Sequence, residues 1–255
     1  MIHPTAIVSP KADLHPSVQV GPYTIIDDNV VIGEGCIIGS HVQIAWGARL
    51  GKGIRVFHGA VIASIPQDLK FAGEESVAVV GDGTILREYV TVNRGTSESG
   101  STDVGANCLL MAYAHVAHDC KVADHVIMAN AVNLGGHVHI GEHAIVGGVV
   151  AVHQFVHIGA HSLIGGGFRA VQDVCPYALV GGYPLRVVGL NLVGLKRRGF
   201  SRETIDILQQ TFRLLFFSDL NTRQAVERIK AEVTPIPEVQ TIITFIEGSG
   251  RGLVK

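Results

Sequence analysis

An aliphatic residue recurs at every sixth position of this chain, and this period constrains the fold more than any other feature. The first run extends without a slip from Ile2 to Ile62. The pattern returns over residues 80–92, and a third run extends from Val104 to Ile164, so that 25 hexads follow it in all. A period of six fits neither the 3.6 residues of a helical turn nor the alternation of a strand in a flat sheet. It is typical of a solenoid.

Three hexads are expected to make one triangular coil of about 18 residues, with each aliphatic side chain pointing inward. Successive coils would hydrogen-bond as parallel strands, and glycine or asparagine would take the corners that require a positive φ. The hexads make about eight coils, which at ~4.8 Å between strands form a prism roughly 40 Å long. We therefore predict a mainly β protein, with a parallel β-helix over residues 1–188.

Two breaks interrupt the repeat without ending it. They fall at residues 65–79 and 97–103, and both are predicted to be loops that project from the prism. Projecting loops commonly carry function because a rigid scaffold holds them in place. The first loop contains Gln67, Asp68 and Lys70, which outside the repeat would indicate only an ordinary solvated segment.

The C-terminal quarter of the chain has a different pattern. The hexads fade after Asp173, and residues 189–255 are predicted to form an α-helical domain. Ser201 fits a helix N-cap with apolar residues at helical spacing behind it, and further helices are expected near Thr222 and after Pro235. This domain carries ten basic and seven acidic residues, which makes it the positive end of a chain whose formal net charge is -2.

Composition excludes several classes of protein. Hydrophobic residues make up 47% of the 255 and charged residues only 16%, and the 31 glycines occur with only nine prolines, so neither disorder nor collagen fits. The net charge offers no excess of cations for nucleic acid. No apolar run reaches the ~18 residues of a membrane span, and the N-terminus lacks a secretion signal. With four widely separated cysteines, we expect a cytoplasmic protein with reduced thiols.

Histidines are concentrated in the last run of hexads, where nine of the 13 lie between His115 and His161. The segment Ala114–Cys120 places His118 beside Asp119, in hexads that otherwise need only small residues. A neutral imidazole accepts a proton near pH 7, and a neighbouring carboxylate orients it and stabilises its protonated form. The pair therefore indicates a general base, whereas most other histidines fit exposed corners and need no role.

Stacking gathers further groups around this pair. Coils of 18 residues place His137 above Asp119, Gly136 above His118, and His153 on the same patch. The backbone N–H groups of the glycine segment would then be accessible to an oxyanion. A base beside an oxyanion donor is the arrangement that acyl transfer requires. We favour this interpretation over a metal site, although imidazoles are common zinc ligands.

The run Lys196-Arg197-Arg198 precedes Gly199 in the tail and has two interpretations. The cations could close a short helix that ends at the glycine. They could equally form an anion-binding site. The residues alone do not separate the two.

Together these features resemble the UDP-N-acetylglucosamine acyltransferases, a family of hexapeptide-repeat enzymes with a left-handed β-helix. The similarity covers nearly the whole chain. Its most specific segments are QDLKFAGE at 67–74, REYVTVNRGT at 87–96, Ala114–Cys120, AVHQF at 151–155 and GLKRRGFSR at 194–202. The left-handed coil is implied by this resemblance alone.

The resemblance implies transfer of a 3-hydroxyacyl chain from acyl carrier protein to the 3-position of UDP-GlcNAc in lipid A biosynthesis. The phosphopantetheine of the carrier holds the acyl chain, so no separate cofactor and no metal is expected. His118 would be the general base, Asp119 its orienting partner and the Gly136 amide the oxyanion donor. An acidic carrier fits the positive tail. The enzymes of this family are homotrimers with sites between subunits.

The resemblance also assigns contacts to the substrates. The acyl donor would lie at Gln67, Asp68 and Lys70, the sugar at His115 and His137, and the nucleotide at His153, Gln154, Asn191, Arg197 and Arg198. Gly166 aligns with the position that limits acyl length. Because glycine has no side chain to close the groove, we expect a preference for about 14 carbons or more. Pro184 and Val193 replace a histidine and a glutamate of well-known relatives.

Two rival interpretations remain. The paralogous UDP-3-O-acylglucosamine N-acyltransferase usually carries an additional N-terminal domain, whereas the hexads here begin at Ile2. A non-catalytic structural solenoid would have regular polar faces and no need for His118, Asp119 or the two loops. A histidine base would serve a 3-hydroxyl or a 3-amino acceptor equally well, so the residues leave the acceptor group open.

Overall fold

A computed structural model describes all residues, 1–255. The hexads form short strands that coil into a triangular prism, followed by four helices. In chain order the strands are β1 (Ile7–Val8), β2 (Asp13–Leu14), β3 (Gln19–Val20), β4 (Ile25–Ile26), β5 (Val31–Ile32), β6 (Ile37–Ile38), β7 (Gln43–Ile44), β8 (Ala48–Leu50), β9 (Arg55–Val56), β10 (Val61–Ser64), β11 (Val77–Val80), β12 (Ile85–Leu86), β13 (Thr91–Asn93), β14 (Ser101–Val104), β15 (Leu109–Leu110), β16 (His115–Val116), β17 (Lys121–Val122), β18 (Ile127–Met128), β19 (Asn133–Leu134), β20 (His139–Ile140), β21 (Ile145–Val146), β22 (Ala151–Val152), β23 (His157–Ile158), β24 (Leu163–Ile164), β25 (Arg169–Ala170), β26 (Ala178–Gly181) and β27 (Arg186–Leu190).

From β1 to β25 every third strand joins the same sheet, so the prism has three faces, and β26 and β27 extend the third. Sheet 1 has the order β1-β4-β7-β10-β13-β16-β19-β22-β25, sheet 2 the order β2-β5-β8-β11-β14-β17-β20-β23, and sheet 3 the order β27-β26-β24-β21-β18-β15-β12-β9-β6-β3. All pairings are parallel except that of β26 with β27, which is antiparallel. We call the edges of the prism corner 1–2, corner 2–3 and corner 3–1, after the sheets that they join.

The interior of the prism is a single aliphatic stack. In each two-residue strand the second residue points inward, and Ile26, Ile32, Ile38 and Ile44 are all at most 2% exposed. Burying one such side chain contributes roughly 1.5–3 kcal/mol. The hexad pattern therefore predicted the core correctly.

The corners differ from the sequence-based expectation. Sixteen residues other than glycine adopt a positive φ, and most are histidine, tyrosine or alanine, with asparagine at only two corners. L-residues lose roughly 1–2 kcal/mol in this conformation. At the aromatic corners, stacking between successive coils offsets part of this loss, as when the rings of His137 and Phe155 lie parallel with centroids 4.5 Å apart.

Both projecting loops are shorter than predicted. The first ends at residue 76, because Val77 begins β11, and the second ends at Gly100, because Ser101 begins β14. Residues 77–79 and 101–103 pair in sheet 2 through ordinary parallel hydrogen bonds. The boundary placed between residues 188 and 189 falls inside β27.

Helices follow the prism. They are α1 (Leu192–Arg197), α2 (Arg202–Phe216), α3 (Thr222–Glu232) and α4 (Pro237–Glu247). Ser201 caps α2 as predicted, because its hydroxyl accepts the N–H of Thr204 at 3.0 Å. Gly199, with φ +79°, follows α1 and its cap, as the helix-closing interpretation of the basic run required. None of these helices has the length and apolar character to cross a bilayer.

The outer faces of the prism differ in polarity. On sheet 3, Leu109, Ile127, Ile145 and Leu163 stack in register and point outward, each half-buried in the single chain. The corresponding column on sheet 2 is dominated by charged and polar side chains, including Arg49, Asp103, Lys121 and His139. Exposure to water is therefore less favourable for sheet 3 than for sheet 2.

Candidate active site

His118 and Asp119 lie at corner 1–2, between β16 and β17. Nδ1 of His118 is 2.7 Å from Oδ2 of Asp119, and the aspartate side chain is fully buried. Asp119 adopts a positive φ of 60°, a conformation that aspartate tolerates better than most residues. This backbone geometry turns the carboxylate back towards the preceding residue, which is how two neighbours in the sequence form a dyad.

The carboxylate of Asp119 is held in its charged form. Burial by itself raises the pKa, but hydrogen bonds from Ser99, His118 and Thr96 outweigh it and lower the pKa to about 2. The N–H and the hydroxyl of Thr96 donate at 2.9 and 2.8 Å. An ionised carboxylate accepts only, so Nδ1 of His118 carries the hydrogen of the shared bond. Nε2 is then the basic nitrogen.

Nε2 of His118 faces the backbone of Gly136. A Cβ at residue 136 would lie 2.7 Å from Nε2 and 2.5 Å from Cε1, so only glycine leaves the imidazole in this position. The N–H of Gly136 has no hydrogen-bond acceptor within the chain. A basic nitrogen and a free backbone donor therefore lie side by side, which is the arrangement that an oxyanion intermediate requires.

His137 completes the cluster from the next coil. Its Nε2 is 3.6 Å from Oδ2 of Asp119 and 3.5 Å from the carboxylate of Glu98. Ligand atoms of His118, Asp119 and His137 lie within 4.8 Å of one another, a spacing that a metal ion could use. The donors already bonded to both oxygens of Asp119 favour a hydrogen-bonded dyad instead.

The dyad opens into a cleft of about 580 Å³. Six of the residues selected from the sequence line it together: Gln67, Asp68, Lys70, His118, His137 and Gln154. Other lining residues had been given no role: Phe71, Glu74, Thr96 and Phe155 lie in the segments that carry the family resemblance, and Glu98 lies in the second break of the repeat. A groove of about 740 Å³ between sheet 2 and α4 contains none of the selected residues.

His115 and His153 lie beside the cleft without lining it. Nδ1 of His115 is 2.7 Å from the hydroxyl of Thr91, and burial, followed by the charge of His118, lowers the pKa of His115. Nδ1 of His153 is 3.1 Å from the carbonyl oxygen of Gln154. Both imidazoles are thus engaged with neighbouring groups in the single chain.

The remaining selected residues lie at the other two corners. Asn191 caps α1 through the N–H of Gly194 and donates to the carbonyl of His161 at corner 2–3. Arg198 donates to the carbonyl of His143 at 2.7 Å, while its Nη1 is buried without a partner. The side chain of Arg197 is exposed. Gly166 lies at corner 3–1, where a Cβ would lie 3.2 Å from the backbone oxygen of Gly148.

Two family profiles match the chain. The profile described as bacterial transferase hexapeptide (six repeats) matches residues 1–45, and the one described as UDP N-acetylglucosamine O-acyltransferase, domain 2, matches residues 173–254. The acyl-[acyl-carrier-protein]--UDP-N-acetylglucosamine O-acyltransferase of Thermodesulfovibrio yellowstonii is 44% identical, over 100% of this chain and 99% of its own length. The enzyme of the same name from Leptothrix cholodnii is 45% identical, with the same coverage.

Solved structures agree over the full length. The UDP-N-acetylglucosamine acyltransferase of Bacteroides fragilis superposes with a TM-score of 0.99 at 43% identity, covering 100% of both chains. The corresponding structure from Acinetobacter baumannii gives a TM-score of 0.96 at 42% identity, covering 100% of this chain and 99% of its own. These matches confirm the left-handed β-helix that the resemblance implied. Identity above 40% over complete chains makes this protein a member of the UDP-N-acetylglucosamine O-acyltransferase family.

Proposed function

We propose that this protein transfers a 3-hydroxyacyl chain from acyl carrier protein to the 3-hydroxyl of UDP-GlcNAc, the first acylation of lipid A synthesis. The observation that carries the proposal is the dyad at corner 1–2, where Nε2 of His118 is free to accept a proton beside the free N–H of Gly136. The names of the full-length relatives agree with this activity and with neither rival.

The reaction follows from the positions of these groups. Nε2 of His118 takes the proton of the sugar 3-hydroxyl while the oxygen attacks the thioester carbonyl carbon. The carbonyl electrons move to the oxygen, and the N–H of Gly136 donates to the resulting oxyanion. When the C–S bond breaks, the imidazolium of His118 returns its proton to the sulfur. Asp119 stays ionised throughout and stabilises the imidazolium.

The loop beside the dyad supplies groups for the acyl donor. Asp68 and Lys70 lie in the cleft with His118. Their opposite charges suit the amide and hydroxyl groups of a phosphopantetheine arm, on which the acyl chain arrives. No other cofactor has a role in this scheme. The excess of basic over acidic residues in the helical domain suits an acidic carrier protein.

The nucleotide site requires a second chain. Arg197 and Arg198 lie at corner 2–3, whereas the dyad lies at corner 1–2, so one chain does not gather all the proposed contacts. A homotrimer that buries the apolar column of sheet 3 would bring the arginines of one chain to the cleft of the next. Light scattering should then give about three times the 27.1 kDa of the chain. A monomer under assay conditions would contradict this assembly.

The activity is tested by incubating the purified protein with UDP-GlcNAc and 3-hydroxyacyl carrier protein and weighing the products by mass spectrometry. We expect one acyl group on the sugar nucleotide and an equal amount of free carrier thiol. A parallel reaction with the 3-amino analogue of the acceptor identifies the accepting group. Absence of acylated nucleotide in both reactions would contradict the proposal.

A further inference from the structure

The second insertion in the repeat lies directly over the aspartate of the dyad. Thr91 pairs with His115, 24 residues later, whereas successive strands of the regular coils are 18 residues apart. The six additional residues form the turn 95–100. Its ends are tied together because the N–H of Gly100 donates to the carbonyl of Thr96 at 2.8 Å. Regular coils close without such a turn, so the solenoid itself does not require it.

Two residues of this turn hold Asp119. Thr96 donates its N–H to Oδ1 and its hydroxyl to Oδ2, and the hydroxyl of Ser99 reaches Oδ1. Thr102, just beyond the turn, accepts the N–H of Asp119 at 2.8 Å. His118 occupies the remaining direction on Oδ2. The carboxylate cannot rotate without breaking several of these bonds.

The turn is itself anchored to the first projecting loop. The carboxylate of Glu74 accepts the N–H of Ser97 at 3.1 Å and the N–H of Ala72 at 2.8 Å. The hydroxyl of Ser76 donates to the carbonyl of Gly95 at 2.5 Å. The turn is thus held in position by groups that do not touch the dyad.

We propose that Thr96 and Ser99 are positioning residues for acyl transfer, which hold the carboxylate of Asp119 in the rotation that orients His118. The inference rests on the proposed function and deepens it. Neutral donors fix the carboxylate without neutralising it, so the carboxylate remains available to the imidazolium. When the two hydroxyls are removed, only the N–H of Thr96 still donates to the carboxylate from this turn, and the carboxylate can turn away from His118. The base then loses its orientation while its substrate contacts remain.

The kinetic test uses Thr96→Val, Ser99→Ala and the double variant. Because a small displacement of a catalytic group is costly, the double variant should lose about 10- to 100-fold in kcat, with KM for both substrates nearly unchanged. The acid limb of the pH dependence of its kcat should also shift. Thr96→Ser keeps the hydroxyl and should restore most of the activity.

Thr84→Val is the matched control for Thr96→Val, because the buried hydroxyl of Thr84 also makes two hydrogen bonds, to the carbonyl of Gly105 and from the N–H of Cys108, both away from the site. We expect it to keep the wild-type kcat and pH profile. A double variant with wild-type kcat and an unchanged profile would overturn the proposal. So would equal losses of kcat in Thr84→Val and the double variant, since they would indicate a purely structural role.

A second measurement does not depend on turnover. Nitrogen-15 NMR of the substrate-free protein reports which ring nitrogen of His118 carries the hydrogen. We expect almost only the Nδ1–H form in the wild type and a mixture of both forms in the double variant. An identical tautomer ratio in the two proteins would refute the positioning role even if the protein proved to have a different activity.

Discussion

Two neighbouring corners of the same coil carry the same two residue types in opposite order. His118–Asp119 at corner 1–2 forms a dyad, whereas Asp124–His125 at corner 2–3 does not. Asp124 instead accepts the N–H of Ala106 in the coil below at 2.8 Å. His125 stacks on His143 with ring centroids 4.6 Å apart.

The order of the two residues decides which of them takes the positive φ. At corner 1–2 this residue is Asp119, whose carboxylate turns inward beneath the turn 95–100. At corner 2–3 it is His125, whose ring continues an imidazole stack towards solvent. A histidine beside an aspartate is therefore not sufficient for a base. The carboxylate must be buried, and the fold must supply donors that keep it charged.

The largest expected effect separates the two corners directly. His118→Ala should reduce transfer by about 10²- to 10⁴-fold, because general-base catalysis supplies that much. His125→Ala should leave the rate near that of the wild type. Steady-state assays with both variants, together with thermal melts to verify folding, make the comparison. Similar rates for His118→Ala and the wild type would show that His118 is not the general base.

A smaller loss is expected from a methyl group placed beside the dyad. Gly136→Ala puts a Cβ 2.5 Å from Cε1 of His118, so the imidazole must move, and we expect about a 10- to 100-fold lower kcat. Glu142 lies at the position of corner 2–3 that corresponds to Gly136 at corner 1–2. Glu142→Ala is therefore the matched control. If Gly136→Ala turned over as fast as the control, the close approach of Gly136 to the His118 imidazole would not be required for catalysis.

Corner 3–1 differs from the other two corners because it carries neither the base nor the two arginines. Gly166→Met should shift the preferred donor towards shorter acyl chains, since each excluded methylene forfeits ~0.8 kcal/mol, or about a factor of four. One reaction containing competing donors of different lengths measures the shift. A wild-type preference for short chains, or an unchanged preference in the variant, would show that Gly166 does not determine the acyl-chain length.

The smallest expected effect is on the pH dependence of folding stability, through His161 at corner 2–3. Burial, then the charges of Arg198 and His143, lower the pKa of His161 to about 4. The unfolded chain binds this proton near pH 6.5, so the stabilisation is present above that pH and is lost as the pH falls towards 4. His161→Phe keeps the stack with Tyr177 and should weaken the loss of stability between pH 7 and pH 5. Urea unfolding at the two pH values tests this, and equal losses in variant and wild type would contradict it.

Much of the fold could be predicted because each hexad predicts one short strand from its own residues. The aliphatic residues from Ile2 to Ile164 all mark strands or bridges of the prism, and Ser201 marked the start of its helix. Stacking by 18 also placed Gly136 against His118 correctly. These relations are local or strictly periodic.

The partners of Asp119 could not be predicted, because they depend on the path of an aperiodic turn. Thr96 and Ser99 are ordinary polar residues in the sequence, and only the folded turn brings them to the carboxylate. The available signals were the break in the repeat at residues 97–103 and the gap of 24 residues between the paired positions Thr91 and His115. Contacts between chains likewise cannot be predicted from a repeat within one chain.

In the proposed trimer two corners on different chains form one active site, and mixing of variant subunits tests this arrangement. His118→Ala and the double variant Arg197→Ala/Arg198→Ala should each be inactive alone. Co-expressed in equal amounts, they should recover about a quarter of wild-type activity, because about a quarter of the interfaces in randomly mixed trimers pair an intact base with intact arginines. Recovery of that size is the predicted result, and mixed trimers no more active than either variant alone would contradict the account.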